Sequence, residues 1–156
     1  MRNDFKIIPF ERKLINFFID LNLEWLNEFF EVEPYDSKIL NQSENVIINK
    51  GGYIFFGKQN GRIIGTFALI KRGEKSFELA KMAVKKYQRN KGYGNKMIQF
   101  AISFGIKNNW KEIFLYSNTK LKNSIHLYSK YGFRKVEIEK KSPYLRGNIK
   151  MKLLLQ

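Results

Sequence analysis

The chain has 156 residues, of which 44% are hydrophobic and 15% aromatic. This composition predicts a single globular domain spanning residues 1–156 and argues against disorder. The sequence contains no cysteine and one histidine. It therefore excludes disulfides, thiolate metal sites and a cysteine nucleophile, and it predicts that the protein holds no metal.

The formal net charge of +15 is the second informative property of the composition. A charge of this size attracts anions, so nucleic acid, acidic membranes and phosphorylated cofactors are all candidate partners. Lysine, asparagine and isoleucine are abundant while arginine is scarce, which is the mix expected from an A+T-rich genome. Composition therefore leaves open whether the positive charge is functional.

No apolar run approaches the roughly 18 residues that a membrane-spanning helix requires. The first residues, Met-Arg-Asn-Asp-Phe-Lys, contain no apolar segment of the kind found in signal peptides. We therefore expect a cytoplasmic protein that does not contact membranes. The sequence leaves its oligomeric state open, a homodimer included.

The first third of the chain predicts two helices. Apolar residues spaced by three and four between positions 10 and 30 predict an amphipathic helix, which we expect Pro34 to end. A shorter helix, capped by Asp36 or Ser37, is expected before Gly51.

The rest of the chain predicts strands interleaved with two further helices. Strands are predicted at 53–56, 62–70, 76–84, 112–117, 133–139 and 148–155, and helices at 94–108 and 121–131. Asn60-Gly61 is a strong hairpin signal between the first two strands. The order of elements predicts an α/β fold with one mixed central sheet covered by helices on both faces.

A glycine-containing turn at residues 89–94, Arg-Asn-Lys-Gly-Tyr-Gly, lies between a predicted strand and a predicted helix. Glycines can adopt backbone angles that let successive N–H groups point at one anion, and the helix N-terminus adds its positive dipole end. Met97 departs from the dinucleotide-binding fingerprint, and the Gly-Lys-Ser/Thr of a P-loop is absent. The turn is a candidate phosphate-binding site of another type.

Two motifs carry a resemblance to a known family. Residues 88–94, Gln-Arg-Asn-Lys-Gly-Tyr-Gly, follow Leu-Ala-Lys-Met-Ala-Val at 79–84 and resemble the acetyl-CoA loop of the GNAT N-acetyltransferases, Gln/Arg-x-x-Gly-x-Gly/Ala. The segment from Asn123 through Leu-Tyr128 to Gly-Phe133 resembles the family's Asn, Leu-Tyr, Gly-Phe pattern. The strong resemblance covers residues 77–137, and it implies acetyl-CoA as the cofactor.

The resemblance implies that acetyl-CoA lies between two splayed parallel strands, 76–84 and 112–117. Asn123 is similar to the asparagine that contacts pantetheine in the family, although it also fits a helix cap, and Asn118 is a second candidate of that type. An N–H near Ala83 or Val84 is the implied donor to the thioester oxygen. The implied cofactor-binding residues are Met82, Ala83, Val84, Arg89, Asn90, Lys91, Gly92, Tyr93, Gly94, Asn95, Asn118 and Asn123.

Two residues fall on the family's catalytic positions. Glu78 is similar to the glutamate that acts as general base, directly or through water, in the histone-acetylating branch of the family; the alternative is an ion pair with a lysine such as Lys81. Tyr128 falls on the position of the general acid that protonates the leaving thiolate, and its alternative is a core tyrosine.

The acceptor is implied to be a primary amine on a small molecule, a peptide or a protein. An acidic and aromatic cluster that includes Glu33 and Tyr35 would suit a cationic amine, but it also fits the acidic end of a helix. Tyr144 and Arg146 would instead bind an acceptor carboxylate. These four residues are the candidate substrate-binding residues, and the sequence does not choose among the acceptors.

A function of a different class stays open. Basic residues interleaved with aromatics, as in residues 85–91, also occur in nucleic-acid-binding proteins. The alternative is therefore a non-catalytic basic module that binds acyl-CoA or nucleic acid and regulates another process. The same segment is the predicted cofactor turn, and the chain has no helix-turn-helix or RNA-binding signature, so we expect no nucleic-acid partner.

Overall fold

Seven strands form one mixed sheet in the computed structural model, which describes residues 4–156. The strands are β1 (Phe5–Pro9), β2 (Tyr53–Gln59), β3 (Arg62–Lys71), β4 (Ser76–Val84), β5 (Glu112–Ser117), β6 (Arg134–Val136) and β7 (Ile149–Leu154). Their spatial order is β1-β2-β3-β4-β5-β7-β6. Within it, β4 and β5 pair in parallel, and the other neighbours pair antiparallel.

Helices cover both faces of this sheet, as the sequence predicts. They are α1 (Ile15–Phe29), α2 (Pro34–Asn41), α3 (Ser43–Val46), α4 (Tyr93–Lys107) and α5 (Lys122–Lys130). One apolar cluster joins α4 and α5 to the sheet, and the other joins α1, α2 and α3 to the opposite face. Alternation along β2 explains the division, because Phe55 belongs to the first cluster while Ile54 and Phe56 belong to the second.

The parallel strands β4 and β5 separate after a short contact. They pair at three positions, Ser76–Glu78 against Glu112–Phe114, although β4 continues to Val84 and β5 to Ser117. Beyond the paired positions, β4 has a bulge that includes Lys81, whose φ is +55°. At this bulge the pairing of β4 with β3 shifts register between Thr66 and Ala68. The predicted splayed pair of strands is therefore confirmed, and it leaves one edge of β4 open.

The N-terminal third differs from the sequence prediction in two respects. Strand β1 is absent from the prediction, because its apolar residues Ile7 and Ile8 are adjacent instead of alternating and the strand pairs only with β2 at the sheet edge. Helix α1 ends at Phe29, ahead of Pro34, which instead begins α2. Glu33 is the N-cap of α2 and forms a reciprocal capping box with Asp36.

The strand predicted at 133–139 is shorter in the structure, because β6 ends at Val136. Strand β7 lies between β5 and β6, so β6 has one neighbour and occupies the sheet edge. The chain then crosses to α2, where the backbone N–H of Leu145 donates to Glu33 (2.8 Å). Within residues 4–156, no helix has both the length and the apolar character needed to cross a membrane.

Candidate active site

A cleft of about 530 Å³ opens where β4 and β5 separate. Its walls come from the end of β4, the turn before α4, the end of β5, the helix α5 and the side of α1 that carries Asn22 and Trp25. Most of the residues that the sequence assigns to cofactor binding or catalysis line this cleft. They are Glu78, Met82, Ala83, Val84, Arg89, Asn90, Gly92, Tyr93, Gly94, Asn95, Asn118, Asn123 and Tyr128.

The turn before α4 leaves backbone donors free. Gly92 is the N-cap of this helix and has a φ of +86°, a conformation that glycine adopts without strain. The N–H of Lys96 donates to the Gly92 carbonyl (3.2 Å), so the helical amides ahead of Lys96 have no acceptor within the helix. A Cβ added to Gly92 would meet no atom within 4 Å. The turn is therefore an open cradle for an anion.

Arg89 ties the turn to α1 through its side chain. Its Nε donates to the Val84 carbonyl (2.9 Å) and its Nη1 to Glu28 (2.9 Å), while Nη2 lies 3.8 Å from Glu24 and makes no hydrogen bond. Lys91 lies outside the set of residues that line the cleft, and its Nζ donates to Gln88 at 3.4 Å. The cationic side chains of Arg89 and Lys91 are therefore both engaged by other residues of the protein.

The end of β4 presents its open edge to the cleft. On its other edge Ala83 and Val84 are paired with Thr66 and Gly65 of β3, which fixes the position of the strand. Because the register with β5 ends at Glu78, the backbone groups beyond that point on the β5 side are available to a ligand. This arrangement matches the pantetheine-binding strand that the resemblance implies.

The three asparagines assigned to the cofactor differ in their surroundings. Asn95 accepts a hydrogen bond from the Tyr131 hydroxyl (2.9 Å), which fixes its amide. Asn118 donates to the Arg146 carbonyl (2.6 Å) and accepts from the Lys120 N–H (2.9 Å). Asn123 lies exposed in the first turn of α5, without a capping hydrogen bond. Asn123 therefore has a free amide, whereas Asn118 stabilises the loop that contains Arg146.

Tyr128 lies on α5 and lines the cleft. Burial raises the pKa of its hydroxyl to about 12. The group is therefore protonated at neutral pH and is able to donate a proton or a hydrogen bond. Its ring packs against Phe133, with centroids 6.0 Å apart, so it has the packing role of a core tyrosine as well.

Glu78 is the only acidic residue among the described residues that line the cleft, and its side chain is 1% exposed. Arg72 binds one carboxylate oxygen through Nε (2.9 Å) and Nη2 (2.8 Å), and the Tyr144 hydroxyl lies 3.5 Å from the other. Burial raises the pKa of Glu78, although Arg72 opposes this. The ion-pair partner is thus Arg72; the suggested alternative, Lys81, pairs with Asp36.

The four predicted acceptor-binding residues lie together, although they come from opposite ends of the chain. Glu33 binds the Arg146 guanidinium (3.2 Å), and the rings of Tyr35 and Tyr144 are 5.1 Å apart in an edge-to-face contact. Tyr144 and Arg146 line the cleft, whereas Glu33 and Tyr35 lie behind them. The structure therefore brings the two alternative pairs of candidates together, and Glu33 and Tyr35 support the wall instead of forming it.

Asp36 is the centre of a buried ionic network behind this wall. Its carboxylate accepts two hydrogen bonds from Arg146 (2.6 and 2.8 Å) and is paired with Lys81. Burial alone would raise the pKa of Asp36, but the bonds from Arg146 and the charge of Lys81 lower it to about 2. Burial lowers the pKa of Lys81, which Asp36 opposes.

Sequence reasoning did not predict the roles of Arg72 and Lys81. Arg72 falls in a predicted turn and gives no local signal of a functional contact. Lys81 does give one, because a lysine flanked by Ala80, Met82 and Ala83 within a central strand must find a buried partner. Trp25, Phe30 and Tyr116, which also line the cleft, carry no motif.

A comparison with models of protein families identifies the class of protein. The model of the Acetyltransferase (GNAT) family matches residues 16–133, which is most of the chain, so the protein belongs to this family of acetyltransferases. The family uses acetyl-CoA as acetyl donor, and the open turn at Gly92 with its free amides fits that cofactor. None of the curated proteins matches the chain significantly.

Solved structures of acetyltransferases share the fold over nearly the whole chain. A GNAT acetyltransferase of Staphylococcus aureus Mu50 is 25% identical, with a TM-score of 0.86 and coverage of 98% of this chain and 100% of its own. An acetyltransferase of Streptococcus agalactiae 2603 is 22% identical, with a TM-score of 0.80 and coverage of 97% and 98%.

A spermidine N-acetyltransferase of Vibrio cholerae, solved in complex with CoA and spermine, is also 22% identical. Its TM-score is 0.76, and the alignment covers 97% of this chain and 95% of that one. At this identity the similarity concerns the fold.

Proposed function

We propose that the protein transfers the acetyl group of acetyl-CoA to a primary amine by direct attack within a ternary complex. The observation that carries the proposal is that Glu78 and Tyr128 line the same cleft as the open turn at Gly92. A proton acceptor, a proton donor and an anion-binding backbone are thus within one cavity, as amine acetylation requires.

The chain's own backbone would hold the cofactor. The amides of residues 90–95 would bind the pyrophosphate, with the dipole of α4 contributing. The open edge of β4 at Met82, Ala83 and Val84 would bind the pantetheine arm by main-chain hydrogen bonds. When bound, acetyl-CoA supplies an acetyl group activated as a thioester. Asn123 would add a side-chain hydrogen bond from α5.

Glu78 would take the proton from the acceptor amine, directly or through a water molecule. An amine with a pKa near 10.4 is protonated at neutral pH, so exposing its lone pair costs about 5 kcal/mol. A carboxylate with a raised pKa retains the proton better than an exposed one, and burial raises the pKa of Glu78. Arg72 limits this rise and holds the carboxylate in one orientation.

Tyr128 would donate a proton or a hydrogen bond from its hydroxyl to the departing sulfur. The pKa of about 12 keeps the group protonated over the physiological range. The ring packs against that of Phe133, which supports the position of the hydroxyl. Glu78 would therefore act on the nitrogen of the acceptor, and Tyr128 would act on the sulfur of the leaving group.

The test is a kinetic comparison of Glu78→Gln and Tyr128→Phe with wild type, measuring CoA release against a panel of primary amines. We expect both variants to lose roughly 10²-fold or more in kcat while their affinity for acetyl-CoA, measured by calorimetry, stays close to that of wild type. Matched controls are Glu74→Gln and Tyr87→Phe, two exposed residues outside the cleft, which should retain full kcat.

Equal losses of kcat and cofactor affinity in Tyr128→Phe would mean that this tyrosine only packs. Full activity of Glu78→Gln would assign the proton transfer to another group. Wild-type protein that binds acetyl-CoA but acetylates no amine would instead support the non-catalytic alternative.

A further inference from the structure

The acceptor end of the cleft is the part beside Glu78, Tyr144 and Arg146, where the acceptor would bind. Basic side chains of the protein already neutralise the carboxylates there. Glu78 is paired with Arg72 at 2.8 Å, and Glu33 is paired with Arg146 at 3.2 Å. Asp36 is paired with both Arg146 and Lys81. Three carboxylates thus face three cations, and the cluster carries no net negative charge for a cationic acceptor.

The surface of the cleft is more basic than this cluster. Among the described residues that line it, Glu78 is the only acid, whereas Lys81, Arg89, Lys130 and Arg146 are bases. Glu33 and Asp36 do not line it. Arg89 and Lys130 belong to the turn and α5, near the predicted pyrophosphate, so Lys81 and Arg146 are the cations of the acceptor end.

The Lys81 ammonium has more N–H donors than it has hydrogen-bond acceptors around it. Its side chain is 3% exposed, and among the described residues it has one hydrogen-bond acceptor, Asp36. The Tyr144 ring, whose centroid is 4.9 Å from Nζ, provides a cation–π contact. An ammonium has three N–H donors, so two remain for a ligand. A buried ammonium with unmatched donors in a cavity wall is a ready anion-binding group.

We propose that the acceptor carries a carboxylate beside its amine, that Lys81 binds this carboxylate, and that polyamines are poor acceptors. The inference rests on the proposed function and specifies its substrate class. Aromatic side chains line the same cleft, namely Trp25, Phe30, Tyr116 and Tyr144, so an amino acid with an aromatic side chain is a suitable probe.

The test compares ligands that differ by one carboxylate. Protein saturated with CoA is titrated by calorimetry with tryptophan and tryptamine, with phenylalanine and phenethylamine, and with spermidine. We expect each amino acid to bind roughly tenfold or more tightly than its decarboxylated partner, and spermidine to bind more weakly than either amino acid. Spermidine binding as tightly as the amino acids, or no preference for the carboxylate, would overturn the inference.

Lys81→Met keeps most of the side-chain stem and removes the charge. We expect this variant to lose the preference for the carboxylate within each ligand pair, whereas Lys85→Met, at an exposed lysine outside the cleft wall, keeps it. An unchanged preference in a folded Lys81→Met protein would overturn the assignment of Lys81. If that variant does not fold, the wild-type titrations still decide the acceptor class.

Titration of the same wild-type preparation with acetyl-CoA separates the two proposals. Binding of acetyl-CoA without any effect of the ligand carboxylate contradicts only the acceptor inference. Failure to bind acetyl-CoA contradicts the proposed function itself.

Discussion

The two ends of the cleft are built in opposite ways. At the end where the cofactor is proposed to bind, the turn at residues 89–94 and a strand edge leave backbone donors free around Gly92. At the acceptor end, side chains satisfy one another in a buried ionic network centred on Asp36. The first end presents unsatisfied groups to a ligand, whereas the second offers little beyond Lys81 and aromatic surface.

The difference shows how each end depends on the fold. The cofactor end is formed by local backbone conformation, so it needs only β4 and α4 to be in place. The acceptor end joins residues separated by 110 positions for Asp36 and Arg146 and by 45 for Asp36 and Lys81. It forms only when the last loop closes over α2, so damage to the network should reduce stability before it affects cofactor binding.

The largest expected effect on stability is that of Asp36→Asn. This change keeps the shape of the side chain but leaves Lys81 and Arg146 without their shared carboxylate, and breaking a buried ion pair costs about 3–5 kcal/mol. Urea denaturation should show this loss in the free energy of unfolding. The control is Glu44→Gln, which removes an exposed pair with Arg12 and should leave the free energy of unfolding nearly unchanged, because solvent screens such pairs. Equal effects of the two changes would refute the role of the network.

A second prediction concerns the stability of the protein at acid pH. The folded-state pKa of Asp36 is about 2, below its ordinary value of 3.8, so its ionised form stabilises the fold above pH 3.8. That contribution, on the order of 2 kcal/mol, should be lost as the pH falls from about 4 to 2. Urea unfolding at a series of pH values measures it. Asp36→Asn should lack this part of the acid dependence; an identical pH curve for both proteins would contradict the assignment.

The smallest expected effect is a change in the pKa of Glu78. Arg72→Met removes the cation that opposes the effect of burial, so the pKa of Glu78 should rise further. NMR titration of ¹³C-labelled glutamate carboxyls reports this pKa without an acceptor. The acid limb of the kcat/KM profile should move to higher pH by the same amount, because this profile reports the free protein and the base must be deprotonated.

Arg62→Met, at an exposed arginine of β3, is the control for this change and should move neither quantity. A Glu78 carboxyl whose pKa is unaltered in Arg72→Met would mean that the ion pair does not tune it.

The conformation of the turn at Gly92 is predictable from the sequence because its information is local. The spacing of Gly92 and Gly94, directly after an apolar strand, predicts a turn into a helix, and the structure has this turn at the N-terminus of α4. Side-chain direction is less predictable. Arg89 has the expected position in the motif, yet its guanidinium binds Glu28 on α1, a contact between distant segments that no local pattern encodes.

The acceptor end could be predicted only in part. Residues Glu33, Tyr35, Tyr144 and Arg146 were each recognisable as polar or aromatic candidates, but their pairing depends on how the last loop crosses to α2. Strand β1 was missed for a related reason, since an edge strand of five residues is specified by its pairing with β2 more than by its own pattern.

The most direct test of the central claim is calorimetric titration of acetyl-CoA into wild type, Gly92→Glu and Gly61→Glu. Both glycines are exposed, have φ values of +86° and +81°, and have no atom within 4 Å of an added Cβ, so the backbone strain is matched. Gly61 lies in the hairpin between β2 and β3, away from the cleft.

We expect wild type and Gly61→Glu to bind with similar affinity and Gly92→Glu to bind roughly a hundredfold more weakly or not at all, because its carboxylate would repel the pyrophosphate. Equal binding by all three proteins would contradict the placement of the cofactor at this turn.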